Sequence, residues 1–355
     1  MSLIFLIFIF LLTLIAFGFS YIGIYKDRDK ACEKGPDARI LVIIPCRGVD
    51  YGLEDNLRSI VDQDIAADYV AVVDDESDPA IEYIRKAGIP HIVSNYECTT
   101  CSGKVRAIST AMSLKRDYNI YVIADSDIRA KRDWLRHLVC PLSEPNVGIS
   151  TTFPYFYPVG GLASRVKAVW GTVGQSLMES KMTRFGWGGS LAFRRSLLDS
   201  HMQFFAESVS DDSALTAICK SEGLRIAYVR DSRPAVYSPE TFSQFWEWSN
   251  RQTALSISAS PKVFRYGVIF YFLDIFLFVS ALALSVRNPL FVYLFIPKLI
   301  GIYRMYDRTV LKWPSFALIF LALPFIYLGN LITARKMKHI VWRGNRYELQ
   351  RFAEK

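Results

Sequence analysis

Histidine is nearly missing from this chain. The four present, His91, His137, His201 and His339, lie too far apart for a zinc-ligand spacing, so a zinc enzyme is not expected. The phosphate-binding loops GxGxxG and GxxxxGK[ST] are absent as well, which removes the main support for a dehydrogenase or a P-loop nucleotidase. The six cysteines are irregularly spaced and do not look like a disulfide framework. Cys98-Thr99-Thr100-Cys101 is a lone CxxC without a second pair, and it reads as ordinary loop cysteines before it reads as a metal or redox site. Internal repeats and low-complexity stretches are also lacking.

What is abundant is apolar residue, 51% of the chain, and it is unevenly spread. Leu3 to Tyr25 carries no charge, is long enough to cross a bilayer, and lacks a cleavage pattern; it reads as a retained anchor. Tyr266 to Val286, interrupted by Asp274, and Pro314 to Ile332 read as two further spans. Pro289 to Tyr303 is apolar but short and contains Lys298, so it is a tilted span, a re-entrant segment or an interfacial one; Asp274 and Lys298 could pair, or line an acceptor entry path. The expected layout is an anchor over 1–25, a globular domain over 26–238, an amphipathic interfacial helix over 239–260, a membrane region over 264–334 and a basic tail over 335–355. The formal charge of +8 is carried largely by cations beside the spans: Lys26, Arg28, Lys30 and Lys34 after the first, Arg335, Lys336, Lys338, Arg343 and Arg346 after the last. That placement fits the positive-inside rule better than nucleic acid. It predicts an integral membrane protein whose domain faces the cytoplasm, with its cysteines reduced.

Strand and helix patterns alternate between residues 39 and 125, which predicts an α/β domain with a mostly parallel sheet. Arg39 to Pro45, Tyr69 to Val73, His91 to Ser94 and Ile120 to Ala124 are strand-like; Glu54 to Gln63, Pro79 to Ala87 and Lys104 to Leu114 are helical. Three acidic stations follow strands or open helices: Asp74/Asp75, Asp125/Asp127 and Asp211/Asp212. Any one of them could be a helix cap or turn. Together, at the edge where open α/β sheets bind ligands, they have complementary chemistry. One carboxylate can orient a nucleotide, a pair can hold Mg²⁺ or Mn²⁺ on a diphosphate, and a third can take a proton from an attacking hydroxyl.

These motifs resemble glycosyltransferase family 2 and its relatives. Val42-Ile43-Ile44-Pro45 followed by Val72-Val73-Asp74-Asp75-Glu76-Ser77 is similar to the family's opening strands, Gly103-Lys104-Val105-Arg106-Ala107 to its helix start, and Asp125-Ser126-Asp127 to its metal motif. Gly188-Gly189-Ser190 with Phe193-Arg194-Arg195 is similar to its acceptor-side loop, and Ser210-Asp211-Asp212 stands where the family has Glu-Asp. The resemblance implies the GT-A fold, a Rossmann-like α/β domain with a mostly parallel sheet. It also implies donor contacts at Pro45, Asp74, Asp75, Lys104, Asp125 and Arg251, Mn²⁺ or Mg²⁺ at Asp125 and Asp127, and Asp212 as the base. Asp211, Trp187, Gly188, Gly189, Trp248, Gln252 and Arg343 would then serve the acceptor side or support it. Ser243-Gln244-Phe245, Trp248-Ser249-Asn250-Arg251-Gln252 and Trp342-Arg343-Gly344-Asn345-Arg346-Tyr347 narrow the resemblance to the ceramide glucosyltransferase family and its bacterial lipid-glycosylating relatives. Arg251 matches that family's Arg/Gln-x-x-Arg-Trp motif, whereas Trp248 and Gln252 depart from it.

Phe242, Phe245 and Trp246 share one helical stripe, and Trp248, Arg251 and Gln252 a second; beside a span this suggests a helix lying in the interface, or plain packing on the domain. Val166, Trp170, Val173 and Leu177 form a similar stripe that reads as core or membrane contact. The expected activity is inverting transfer of a sugar from a nucleotide donor, a UDP-sugar for preference, to a membrane lipid hydroxyl. A polyprenyl-phosphate glycosyltransferase, a polysaccharide synthase and a non-catalytic nucleotide-binding scaffold are the alternatives; the oligomeric state is not legible.

Overall fold

The computed structural model describes residues 2–22, 27–29 and 34–349. Lys26 and Lys30, counted above among the cations beside the first span, and the last six residues of the basic tail lie outside the described residues. An N-terminal helix α1 (Leu3–Ile22) precedes β1 (Ile40–Pro45), α2 (Leu53–Val61), β2 (Asp68–Val73), α3 (Ala80–Lys86), β3 (His91–Val93), α4 (Gly103–Leu114) and β4 (Ile120–Ala124). Next come β5 (Ile128–Arg129), α5 (Trp134–Val139), β6 (Val147–Thr151), β7 (Tyr155–Val159), α6 (Leu162–Met178) and β8 (Ser190–Arg194). The rest is α7 (Met202–Ala206), α8 (Asp211–Ser221), β9 (Arg225–Tyr228), β10 (Ala235–Pro239), α9 (Phe242–Ala259), α10 (Pro261–Arg287), α11 (Ile296–Tyr306), α12 (Trp313–Lys336), β11 (His339–Trp342) and β12 (Asn345–Glu348).

The seven-stranded sheet has the order β3-β2-β1-β4-β8-β6-β9. Its strands read as continuous apolar runs because both faces are covered. Ile40, Val42 and Ile44 of β1 enter the core beneath α2, α3 and α5, while Leu41 and Ile43 enter the one beneath α4, α7 and α8. Each such side chain contributes about 1.5–3 kcal/mol of burial. The pairs β3-β2, β2-β1, β1-β4 and β6-β9 are parallel, as the alternating pattern predicts. β8 is the exception, antiparallel to β4 and β6. It starts where β4 ends, pairing Ser190 with Ala124, and this reversal delivers Gly188 and Gly189 to the edge that carries Asp125. A second sheet, β5-β10-β7, hangs from the same edge directly after Asp127.

Three helices, Leu3–Tyr21, Pro261–Arg287 and Trp313–Lys336, are long and apolar enough to cross a membrane. Between the last two, a 3₁₀ turn over Pro289–Phe295 leads into α11, whose 11 residues reach only about 16 Å, roughly half a hydrocarbon core. Lys298 of α11 pairs with Asp274 of α10 at 2.6 Å, which satisfies both charges inside an apolar setting. α12 differs from the other two. Its Tyr327 stacks on Trp170 of α6 at 5.0 Å, and Asn330 bonds Trp170, Ser249 and Asn250. At its other end the preceding turn is tied to the domain as well: buried Arg308 pairs with buried Glu179, and Asp307 with Arg230 at 3.1 Å. One third of its apolar window (33%) is buried, against 11% in each of the others. α9 starts in a capping box of Thr241 and Gln244, and its expected stripe splits: Phe245 is buried against α12's cluster, while Phe242 and Trp246 are exposed.

One sequence expectation fails. Cys98 and Cys101, placed 5.9 Å apart between Cα atoms by the tight turn before α4, form a disulfide, and Cys140 is disulfide-bonded too. Sequence spacing alone does not reveal Cα separation, which decides bonding; Cys46 and Cys219 are free and buried.

Because both flanks of α12 are bound to the domain, the α11–α12 turn should lie on the domain's side of the membrane. In sealed vesicles an impermeant maleimide should label Lys312→Cys from the same side as Asp37→Cys. Labelling of Lys312→Cys from the opposite side alone would make α12 a true crossing.

Candidate active site

Four loops meet at the carboxyl edge of the main sheet. After β1, the Gly48 N–H donates to both oxygens of Asp78 (3.0 and 3.1 Å), and the Asp78 carboxylate also caps Ala80. This fixes the loop so that Asp50 accepts from Ser126 Oγ at 2.6 Å. Pro45, half-buried, ends β1 opposite Val72. After β2, Asp74 faces Arg47 (3.3 Å) and Arg106 (3.5 Å). Asp75 turns away: it is exposed, and its carboxylate accepts from the Ser77 N–H at 2.7 Å, hydrogen bonds that hold it below the usual carboxylate range. Asp74, and not Asp75, therefore belongs to the cluster.

Lys104 is the centre. It sits in the first turn of α4, behind the N-cap Ser102, an unfavourable place for a cation unless carboxylates answer it. Asp125 Oδ1 lies 2.7 Å and Asp211 Oδ2 3.3 Å from its Nζ, which also donates to the Gly188 carbonyl at 3.1 Å. Burial opposes the ammonium charge, but Asp125 and Asp211 outweigh it and raise its pKa. Asp125 has the bond at the shorter distance, and Asp211 Oδ2 is left without a hydrogen-bond partner. Burial pushes the Asp211 carboxyl up to about 6, against the pull of Lys104. A Cβ on Gly188 would fall 2.3 Å from Asp211 Oδ2 and 2.9 Å from Lys104 Nζ, so only glycine fits there.

Asp212 opens α8 together with the N-cap Ser210. Its Oδ1 accepts from Ser213 N (2.7 Å) and from Ser210 Oγ, and its Oδ2 from the Gly188 N–H at 3.3 Å. A helix N-terminus favours the ionised carboxylate. Unlike Asp211, which is 5% exposed, Asp212 is half-buried and reachable.

The C-terminal hairpin β11–β12 closes over this edge. Arg343, at its turn with φ 48°, pairs with Asp50 at 2.6 Å and donates to the Arg47 carbonyl. Tyr347 Oη accepts from the Gly103 N–H at 3.2 Å. Trp187 packs on Phe153 at 5.8 Å, and a Cβ on Gly189 would strike its ring, so it is placed as packing. Trp248 lies edge-on to Trp170 at 5.0 Å. Among the described residues Arg251 pairs with Glu247 alone, at 4.0 Å, and burial lowers its pKa; Gln252 is half-buried beside it on α9. Asp50, Arg47, Asp78 and Tyr347 were not found from sequence. Asp50 obeys the same strand-end rule as the others, but it stands alone and several residues beyond β1.

Residues 8–353 match the family described as glycosyl transferase family 21. The chain belongs to glycosyl transferase family 21. It is a glycosyltransferase, and this family is compatible with the narrower resemblance drawn from the sequence. The mannosyltransferase PcManGT of Pyrobaculum calidifontis, described in complex with GDP-Man and Mn²⁺, has the same fold: TM-score 0.54 at 18% identity over 92% of this chain and 96% of that one. Glucosyl-3-phosphoglycerate synthase of Mycobacterium tuberculosis, in complex with Mn²⁺ and UDP-glucose, gives 0.45 at 15% identity over 66% and 86%. Its complex with phosphoglyceric acid gives 0.44 at 17% over 63% and 80%. No curated protein matches the chain.

The glycosyltransferase has no cluster of three or more histidine, cysteine or carboxylate side chains suited to a metal among the described residues. The donor set at Asp125 and Asp127 still fits a divalent cation that brings its other ligands from a diphosphate. Asp127 Oδ1 is sealed from solvent without a hydrogen-bond partner, and burial, then Asp125 and Asp50, push its pKa up to about 7. Such a carboxylate is short of a positive charge.

The sign follows. The metal-free folded form holds a proton on Asp127 that the unfolded chain releases above about pH 4, so the associated stability is full below that pH and is lost as pH rises through 7. Asp127→Asn should raise the melting temperature of the metal-free enzyme at pH 8 by about 5 °C, with a smaller gain at pH 5. It should also abolish stabilisation by Mn²⁺. A lower melting temperature at pH 8 would contradict this electrostatic reading.

Proposed function

We propose that this glycosyltransferase is an inverting, metal-dependent enzyme that transfers a sugar from a nucleotide donor, a UDP-sugar for preference, to a hydroxyl of a membrane lipid, in the manner of the ceramide glucosyltransferase family. The observation that carries the reading is the convergence of Asp125, Asp211 and Asp212 around Lys104, with Asp127 acting on Asp125 from within the same turn, on a domain whose α6 and α9 are packed against the apolar helix α12. The mannosyltransferase described in complex with GDP-Man and Mn²⁺, which shares the fold, is consistent with it.

Asp125 and Asp127 would hold Mn²⁺ or Mg²⁺, which supplies charge neutralisation to the departing diphosphate. Asp74, framed by Arg47 and Arg106, would orient the nucleotide. When donor phosphates arrive, Lys104 and Arg343 can turn from their carboxylates to phosphate oxygens, and Arg251 adds a guanidinium from α9. Asp212 would take the proton of the acceptor hydroxyl as that oxygen attacks the anomeric carbon from the face opposite the leaving group. The Gly188 N–H and the α8 terminus hold the carboxylate ready for this.

The cations flanking the apolar helices favour, by the positive-inside rule, a domain on the cytoplasmic side. The Cys98–Cys101 bond is the feature a reducing compartment opposes, and a maleimide count in intact cells reads side and oxidation state together.

Purified enzyme incubated with labelled nucleotide sugars, Mn²⁺ and native lipid extract should yield a labelled lipid, and chelator should abolish it. Asp212→Asn should keep donor affinity within about twofold while transfer falls by at least 10²–10⁴-fold. Full activity in Asp212→Asn would remove it from the mechanism.

A further inference from the structure

A buried ion pair lies beside the metal motif and has no part in the chemistry above. Lys167 of α6 pairs with Glu240, which follows β10, and donates to Ser238 Oγ at 2.9 Å; the two charged side chains are only 8% and 10% exposed. The Lys167 ammonium also stands 4.6 Å over the Trp248 ring and 5.5 Å from that of Phe156. Glu240 Oε2 makes no hydrogen bond among the described residues.

Topology decides where this pair faces. β10 runs antiparallel to β5, with Val236 opposite Ile128, so the chain from Val236 to Glu240 travels back past Asp127 towards Asp125. Lys167 is close enough for its charge to act on Asp127. On its other side Lys167 meets Trp248, whose ring packs on Trp170 and through it on Tyr327 of α12. The pair therefore stands between the strand that returns past the metal motif and the ring stack on α12, the side from which a membrane-held acceptor would enter. Burying two charges costs several kcal/mol each, and apolar residues would pack such a wall more cheaply. The pair is also neutral as a whole: Lys167 is answered by Glu240, as Arg343 is by Asp50.

We propose that Lys167 and Glu240 form the acceptor-positioning pair: Glu240 accepts a hydrogen bond from a hydroxyl or amide of the lipid headgroup, Lys167 fixes Glu240, and the pair's neutrality rejects headgroups that carry a phosphate. This rests on the lipid-acceptor reading above. Glu240 then touches the acceptor through a group other than the reacting hydroxyl, and Lys167 is a positioning group that acts through Glu240.

The test uses full-length protein in detergent, loaded with Mn²⁺ and UDP. Binding of a short-chain N-acyl amino alcohol and of a short-chain isoprenyl phosphate is followed by quenching of tryptophan fluorescence, to which Trp248 contributes. Wild type should prefer the uncharged lipid by at least tenfold, a result that needs no variant. Glu240→Gln should weaken that lipid at least tenfold and tighten the isoprenyl phosphate, because Lys167 is then unanswered. Lys167→Arg should retain the wild-type preference, and UDP binding should change less than twofold in both variants. Wild-type preference for the isoprenyl phosphate, binding of neither lipid while UDP binds, or unchanged lipid affinity in Glu240→Gln would overturn the proposal. Lipid selectivity as expected with no sugar transfer would instead sink the proposed function and leave the headgroup site standing.

Discussion

Lys104 reaches from the first turn of α4 across the end of the sheet to Asp125, Asp211 and the Gly188 carbonyl, and the rest of the site is arranged around that contact. Four elements, α4, β4, α8 and the turn into β8, would otherwise bring carboxylates and a buried carbonyl together with nothing to offset their repulsion. The ammonium makes their approach tolerable, and the requirement for glycine at 188 is the steric side of the same closeness. The charge it offsets is not fully offset. Asp127 and Asp211 stay partly unsatisfied, and a site left short of positive charge is suited to a cation carrying a diphosphate.

The membrane segments are joined to this centre through side chains, not merely through the chain. Trp170 stacks on Tyr327, Asn330 ties α12 to Ser249 and Asn250, and Arg308 locks onto Glu179. α6, whose Lys167 pairs with Glu240, is thus the same helix that seats α12. At the opposite end, the hairpin after α12 returns Arg343 to Asp50. In the proposed reading, a polar site tied to apolar helices would serve the two solubilities of a nucleotide sugar and a lipid.

Much of this was legible in the sequence, for reasons that also explain what was not. The buried strands, the acidic residues just beyond them and the Gly-Lys start of α4 are local signals, and local signals survive reading one residue after another. Asp274 and Lys298 were readable because charges in apolar runs must find each other. Lys167 and Glu240 belong to different elements and leave no local trace. Asp75 looked equal to Asp74 until the turn at Ser77 claimed it. α12 has the composition of a crossing helix, and the side-chain ties that bind both of its ends to the domain leave no local trace in it. The disulfide depended on a Cα separation that spacing does not encode.

The central claim is that the edge around Lys104 binds a diphosphate only when a divalent cation completes it. Calorimetric titration of the full-length protein with UDP at pH 8, with and without Mn²⁺, measures this directly. The account predicts binding at least a hundredfold tighter with Mn²⁺, a coupling of about 2.7 kcal/mol, lost in Asp125→Asn. Equal affinity for UDP in the absence of any divalent cation would contradict it.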